Sequence, residues 1–384
     1  MDRVAVIGAS MTEFGKRDAW ILDLLSEAGL ACLDDAGVTS AEVDHLYVSN
    51  MASGEFEGQT GVHNALAHDL GVVPAYATRI DGTSASGGAG LYAAWQSVAS
   101  GASEMTLLVG GEKMTHRSTA EATDVIASLT HPVEYKHGVT LPSFAGLTAR
   151  LYLHEYDAPR ESLARVAVKN HRNGTDNPHA QFRKSVDIET VMDSPVVADP
   201  LRLYDFCPIT DGSAALLCCP ESVAREYADE YAVITGIAGA TDTHVVHERS
   251  DPTTMGAVVE SGREAYGMAD REPDDIDVAE LHDMFTILEF LQSEDLGFFE
   301  KGTGWQAVED GVTDRDGDLP INTSGGLKSK GHPLGASGVA QVYELYRQLL
   351  GEAGPRQVDA EVGLACNVGG FGNCVTTAIL EGAT

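Results

Sequence analysis

Residues 322–338 read Asn322-Thr323-Ser324-Gly325-Gly326-Leu327-Lys328-Ser329-Lys330-Gly331-His332-Pro333-Leu334-Gly335-Ala336-Ser337-Gly338. Glycines flank a single histidine, which is followed by proline. Glycine lets the backbone approach a ligand closely, and proline limits the conformations of the residue before it. His332 is thus expected on a rigid turn just before a helix, a setting that a core histidine does not need. The end of the stretch has an earlier counterpart. Ala85-Ser86-Gly87-Gly88-Ala89-Gly90-Leu91-Tyr92 lines up with Ala336-Ser337-Gly338-Val339-Ala340-Gln341-Val342-Tyr343, and Val109-Gly110-Gly111 lines up with Val368-Gly369-Gly370. Two matches in the same order, each half opening with a strand, indicate a duplicated fold.

Working outward, apolar runs predict strands at Val4–Gly8, His45–Asn50, Met105–Gly110, Tyr231–Gly239, Ile276–Leu281, Val362–Cys366 and Val375–Leu380. Helical patterns fall at Trp20–Asp34, from Ser86 towards Ser100, and at about 284–297 and 336–350. Strands alternating with helices argue for an α/β layer architecture. The boundaries read as a first half over 1–112, an insertion over 113–205, the end of the first half over 206–228, and a second half over 229–384. The insertion carries a basic island on an acidic chain: Arg160, Arg165, Lys169, Arg172, Arg183 and Lys184 against only Glu161 and Asp176 between residues 160 and 184. It reads either as local ion pairing or as a site for an anionic ligand such as phosphate.

Composition bounds the function. Among 384 residues, 58 Asp and Glu stand against 25 Lys and Arg, giving a net charge of −33. Duplex binding needs clustered Lys and Arg, so no nucleic-acid partner is expected. An Asp/Glu-rich surface with few lysines suits molar salt, where the Debye length is only ~3 Å, and points to a halophilic source. The six cysteines form no Cys-x-x-Cys pair, so neither a metal site nor a zinc ribbon is expected within the chain. The opening MDRVAVIGASMTEF reads as a strand without a leader layout, and no apolar run reaches the ~18–20 residues of a membrane span. A cytoplasmic protein is expected.

Asn-x-x-Gly-Gly followed by Gly-His-Pro-x-Gly-x-Ser-Gly resembles the signature of the thiolase superfamily, and the resemblance extends over the whole chain. It implies the thiolase fold: two duplicated βαβαβαββ halves, five-stranded sheets in a layered α/β/α/β/α arrangement, and an inserted loop domain that binds coenzyme A. Leu281-His282-Asp283-Met284-Phe285 resembles the His-Asp-Cys-Phe motif of archaeal and sterol-carrier-protein-type thiolases. Met284 stands at that branch's cysteine, so one acid/base thiol is absent; the position of His282 implies a water held in an oxyanion hole. Cys366-Asn367-Val368-Gly369-Gly370-Phe371-Gly372 resembles the C-terminal loop of ordinary thiolases, in which cysteine is the acid/base, and also the His-Asn-x-Gly-x-Gly loop of the sterol-carrier-protein type. The alignment places Cys366 in the acid/base role, while Val368 interrupts the glycine pattern. The largest departure is Thr83-Ser84-Ala85-Ser86-Gly87, where Ser84 occupies the place of the nucleophilic cysteine.

The resemblance implies an acyl-CoA C-acyltransferase, a β-ketothiolase joining two acyl-CoA molecules into 3-oxoacyl-CoA, with coenzyme A thioesters as substrates and no further cofactor. Ser84 would carry the acyl group and His332 would take its proton. Backbone N–H groups of Ser84 and of Val368, Gly369 and Gly370 would hold the oxyanion, and Cys366 would take the α-proton of the second substrate. Arg172, Arg183 and Lys184 become a candidate grip on the phosphates of coenzyme A. A non-thiolytic acyltransferase on the same scaffold and a non-catalytic thiolase-like subunit stay open; a hydroxymethylglutaryl-CoA synthase fits less well because that family lacks the Gly-His-Pro turn. The resemblance also implies a homodimer or higher oligomer, and association with a small OB-fold, zinc-ribbon partner. From the charge alone, activity and stability are expected to peak in molar KCl or NaCl. An assay series across salt checks this, and an optimum near 0.1 M with loss above 1 M would contradict it.

Overall fold

The computed structural model describes residues 2–383. Nine strands form one sheet: β1 (Val4–Met11), β2 (His45–Ser49), β3 (Tyr76–Ile80), β4 (Thr106–Glu112), β5 (Gly212–Pro220), β6 (Tyr231–Thr241), β7 (Val278–Glu280), β8 (Val362–Gly369) and β9 (Cys374–Ala383). Their order is β3-β2-β4-β5-β1-β6-β9-β8-β7. The first five belong to the first half and the last four to the second. The halves join at β1 and β6, where Val4, Ala5 and Val6 oppose Ile234, Val233 and Ala232 in antiparallel register. The second half has four full strands; its fifth position is reduced to a single parallel bridge between Ala279 and Ile321.

The strand alternation sorts side chains into layers. In β1, Ala5 and Ile7 pack with Ile21, Leu25 and Ala28 of helix α1 (Ile21–Asp35) on the outer face of the first half. Val4 and Val6 point the other way, into a central layer with Leu91 and Ala94 of α2 (Ser86–Ala99), and Val339 and Val342 of α4 (Ser337–Leu349). Ile234, Ala365 and Leu380 of the second half enter the same layer from the opposite side. The outer face of the second half carries Val258 and Tyr266 of α3 (Gly256–Ala269) and the insertion's Phe144 and Tyr152. Strands covered on both faces read as continuous apolar runs, and β1 is buried along all eight residues.

The repeated Ala-Ser-Gly is the point where α2 and α4 meet. A Cβ on Gly87 would lie 2.7 Å from the backbone nitrogen of Gly338, and a Cβ on Gly338 would lie 2.4 Å from the backbone nitrogen of Gly88. The matching glycines therefore mark a backbone-to-backbone contact at the molecular centre. Gly87→Ala is expected to lose about 1–3 kcal/mol, the usual cost of overpacking, measured by denaturant titration. Gly267→Ala is the control: it lies in α3 with nothing within 4 Å of the added carbon, and should leave stability unchanged or raise it. Equal behaviour of the two variants would refute the packing role.

Candidate functional site

The segment from Asn322 to Gly335 is buried throughout, so its backbone must find partners inside the protein. The second half supplies carboxylates. Glu280 accepts from the Ser324 N–H (3.0 Å) and hydroxyl (2.5 Å), and Asp283 accepts from the Leu327 N–H (2.6 Å) at the start of the short helix Gly326–Lys330. The first half supplies Glu112, which accepts from the Gly335 N–H (3.1 Å), and Thr210, whose hydroxyl accepts from the His332 N–H (3.1 Å). The insertion supplies amides: Asn173 and Asn177 donate to the carbonyls of Asn322 (3.0 Å) and Ser324 (2.8 Å). Asn322 itself sits at φ +60°, a left-handed conformation uncommon outside glycine, with its side-chain oxygen on the Leu281 N–H (2.8 Å).

These bonds aim His332 at a cavity of about 700 Å³ whose wall also contains Ser84, Met284, Cys207 and Lys328. The imidazole Nδ1 lies 2.6 Å from the Ser337 hydroxyl on the first turn of α4. Among the described residues, its Nε2 is buried without a partner. The His282 ring stands 4.8 Å away, centroid to centroid, at 88°. Its Nδ1 is 3.0 Å from the Asn367 amide nitrogen, and its Nε2 is likewise buried and unpartnered. Ser84 lies two residues ahead of α2 and is fully buried, and its hydroxyl also lacks a partner. Thr83, before it, adopts φ +59°, a strained conformation of the kind found at functional sites. The loop after β8 closes over this turn: a Cβ on Gly369 would lie 2.5 Å from the Thr83 hydroxyl. Burial lowers the pKa of His332 to about 3; burial, with His332 as a neighbour, also holds His282 well below its ordinary value. Both rings are neutral near pH 7.

Ser84, His332 and His282 thus come together at one place, with Val368, Gly369 and Gly370 in the adjoining strand end and loop. Cys366 does not join them. It shares a face of β8 with Leu364 and Val368, in the outer layer with Tyr266, and its sulfur is 3.8 Å from the Thr377 hydroxyl. Asn367 takes the opposite face, towards His282 and α2. Burial pushes the Cys366 thiol up to about 12. The thiol in the cavity wall is that of Cys207, whose N–H donates to the Met284 carbonyl (2.9 Å).

The basic island largely resolves into ion pairs. Lys169 meets Glu289 at 2.5 Å in the interior, Arg160 meets Asp205, and Arg172 meets Asp314 at 3.1 Å. Arg183 and Lys184 are exposed, and Lys184 lies on the cavity wall. Sequence reasoning passed over Asn367, Ser337, Lys328 and Cys207. Lys328 stood inside the quoted stretch. It is 2% exposed, with its ammonium 5.7 Å from the Tyr204 ring and 6.0 Å from the Phe182 ring, and burial lowers its pKa to about 8.

A family model for the thiolase N-terminal domain matches residues 4–222, and one for a thiolase C-terminal domain-like unit matches residues 238–382. The chain belongs to the thiolase family and is an acyltransferase of that type. An acetyl-CoA acetyltransferase of Methanothermobacter thermautotrophicus is 46% identical over 99% of this chain and 100% of its own length. Human sterol carrier protein 2 is 33% identical over 98% of this chain and 71% of that protein. Among solved structures, an Ltp2-ChsH2(DUF35) aldolase superposes with a TM-score of 0.85 at 26% identity, covering 99% of this chain and 98% of that one. An acetyl-CoA acetyltransferase from Syntrophomonas wolfei has the same fold, with a TM-score of 0.76 at 16% identity over 99% of each chain. No helix among the described residues is long and apolar enough to cross a membrane.

The depressed pKa of His332 has a kinetic consequence. An imidazole already neutral at pH 5 imposes no titration limb near 6.5, so any step that uses His332 as a base should be flat from about pH 5 to 7. Single-turnover release of CoA measures this; a limb near 6.5 that disappears in His332→Ala would show the ring to be solvated.

Proposed function

We propose that the protein condenses two acyl-CoA molecules, most simply acetyl-CoA, into a 3-oxoacyl-CoA through an acyl ester on Ser84. The observation that carries this reading is the buried, unpartnered Ser84 hydroxyl ahead of α2, in the same cavity as the unpartnered Nε2 of His332. The helix end favours negative charge developing at residue 84. His332 takes the Ser84 proton as the oxygen attacks the thioester, and returns it to the departing CoA sulfur. N–H groups of Ser84 and of the 368–370 loop receive the first oxyanion. The second acyl-CoA then sets its thioester oxygen towards His282 and a water there. Its α-proton passes to a group in the cavity wall, where Cys207 and Lys328 are in place of the outward-facing Cys366; a lysine brought down to about 8 by burial suits that task. The enolate attacks the ester carbonyl and Ser84 leaves, taking up the proton that the cavity-wall group removed from the α-carbon, passed on through Nε2 of His332, so that every group ends in its starting state.

Arg183 and Lys184, with Arg172 behind them, would grip the phosphates of coenzyme A at the cavity mouth. A partner subunit is supported by the likeness to a structure that holds Ltp2 together with ChsH2(DUF35), and the family resemblance makes that partner a small OB-fold, zinc-ribbon protein; the acidic composition fits a cytoplasmic oligomer in a halophilic host. The same likeness favours one second reading, carbon–carbon bond chemistry on this scaffold without an acyl-enzyme.

Mass spectrometry after mixing with acetyl-CoA separates the two: an acetyl ester is expected on the Ser84 peptide, more resistant to hydroxylamine than a thioester. Ser84→Ala should abolish turnover and Ser84→Cys should retain it, because a thiolate is the stronger nucleophile. Cys366→Ala should leave both half-reactions intact, while Cys207→Ala or Lys328→Met should slow condensation more than acylation. Full activity in Ser84→Ala would sink the mechanism. For the phosphate grip, Arg183→Ala and Lys184→Ala are each expected to raise KM for acyl-CoA several-fold with kcat nearly unchanged; unaltered KM in both would reject it.

A further inference from the structure

We infer that Asn367 and Ser337 lock the two imidazoles of the site in opposite tautomers, so that His282 presents an N–H and His332 presents a bare lone pair. The Asn367 side-chain oxygen accepts from the backbone N–H of Gly88 at 2.9 Å. A backbone N–H can only donate, so this contact fixes which end of the amide is oxygen. The amide nitrogen is therefore the end 3.0 Å from Nδ1 of His282. That nitrogen has hydrogens and no lone pair to offer, so Nδ1 of His282 must accept. In a neutral ring the single proton then sits on Nε2, the atom that is buried without a partner.

The Ser337 hydroxyl makes the opposite choice for His332. Its oxygen is 3.0 Å from the Pro333 carbonyl and 2.6 Å from Nδ1 of His332. The carbonyl can only accept, so it takes the one hydroxyl proton. The second contact then needs its proton from the ring, which places a hydrogen on Nδ1 and leaves Nε2 of His332 bare. Only this arrangement puts one proton in each contact. The backbone of His282 adds rigidity: its N–H donates to Oε1 of Gln292 and its carbonyl accepts from Nε2 of Gln292, both at 2.9 Å. His282 can then donate from Nε2 into the oxyanion site, to the substrate oxygen or to the water there, while His332 can take a proton. The assignment of roles rests on the proposed condensing site; the tautomers themselves do not. Asn367 and Ser337 are positioning residues, acting through the rings they hold.

Asn367→Asp is the decisive change. It keeps an oxygen on the Gly88 N–H but places a second oxygen against His282, which draws the ring proton to Nδ1 and strips it from Nε2. Burial and the neighbouring His332 hold the His282 pKa down, and a carboxylate placed against Nδ1 would act in the opposite direction. Long-range proton–nitrogen spectra of 15N-histidine-labelled, ligand-free protein read the tautomers, with His282→Asn and His332→Asn assigning the signals. The expected result is a proton on Nε2 of His282 and on Nδ1 of His332 in the unaltered protein. In Asn367→Asp the His282 proton should move to Nδ1, and turnover at pH 8 should fall about a hundredfold, the usual effect of losing one oxyanion donor. Activity of this variant should recover as pH falls and His282 gains a second proton, whereas a merely structural defect would not respond to pH. An Nδ1-protonated His282 in the unaltered protein overturns the proposal, and so does an Asn367→Asp variant with ordinary rate and pH profile. Should that variant not fold, the spectrum of the unaltered protein decides alone. Absence of an acyl ester on Ser84, with the tautomers as stated, would remove the condensing mechanism and leave this inference standing.

Discussion

An irregular backbone segment in the interior must have its N–H and C=O groups met by protein, since each one left unpaired costs about 1–3 kcal/mol. The segment 322–335 is such a case, and much of the molecule is arranged to meet it. Glu280 and Asp283 come from the end of β7 and its continuation, Glu112 from the end of β4, Thr210 from just before β5, and Asn173 and Asn177 from the insertion. All three parts of the chain therefore converge on the backbone that carries His332. The insertion's place against the second half also depends on buried polar pairs: Lys169 with Glu289, and Asn170 donating to Asp283 at 2.7 Å. Breaking such a pair strands a charge in the interior, which is far more costly than the pair's own net contribution.

The duplication supplies the rest of the site's geometry. Two helices that begin with Ala-Ser-Gly approach until their backbones touch, and each brings a functional group to the same place: Ser84 ahead of the first, Ser337 on the first turn of the second. Asn367 ties the first helix to the histidine pair by accepting from the Gly88 N–H and donating to Nδ1 of His282. The site is thus asymmetric in chemistry although it stands where related halves meet. One half offers the Ser84 hydroxyl, and the other, at the position that matches Ser86, a hydroxyl that orients His332.

Much of this was legible in the amino-acid pattern, because strong local signals coincide with strong local constraints. The Gly-His-Pro turn, the paired Ala-Ser-Gly motifs and the apolar strands β1, β4 and β8 all fall where expected, within the few residues by which strand and helix ends shift. The choice between Cys366 and Asn367 was not legible. Adjacent residues on a strand point to opposite faces, so an alignment correct in register can still name the neighbour of the residue that faces the site. The motif alignment pointed to Cys366, whereas the pleat of β8 turns Asn367 inward. Which members of the basic island are paired was not legible either, for another reason. Arg160, Lys169 and Arg172 find their carboxylates on Asp205, Glu289 and Asp314, partners distant in sequence that no local charge count can include. The missing fifth strand of the second half likewise follows from the tertiary demand on residues just after Ile321, which turn at once into the buried segment instead of extending a ladder.

The seam between β1 and β6 has a bearing on how the chain is made. Strand β1 pairs on one edge with β5 and on the other with β6, and the central layer that α2 shares with the first-half strands is completed by α4 and by strands from Tyr231 onward. At translation speeds of about 5–20 residues per second, roughly ten to thirty seconds separate completion of β5 from completion of β9. The edge of β1 stands open until β6 is made, the outer edge of β6 then stands open until β9 arrives, and the central apolar layer stays incomplete throughout. Open edges and an incomplete layer are surfaces on which partly made chains associate with one another, so the ribosome-bound intermediate is the form of this protein most exposed to aggregation and most dependent on being shielded.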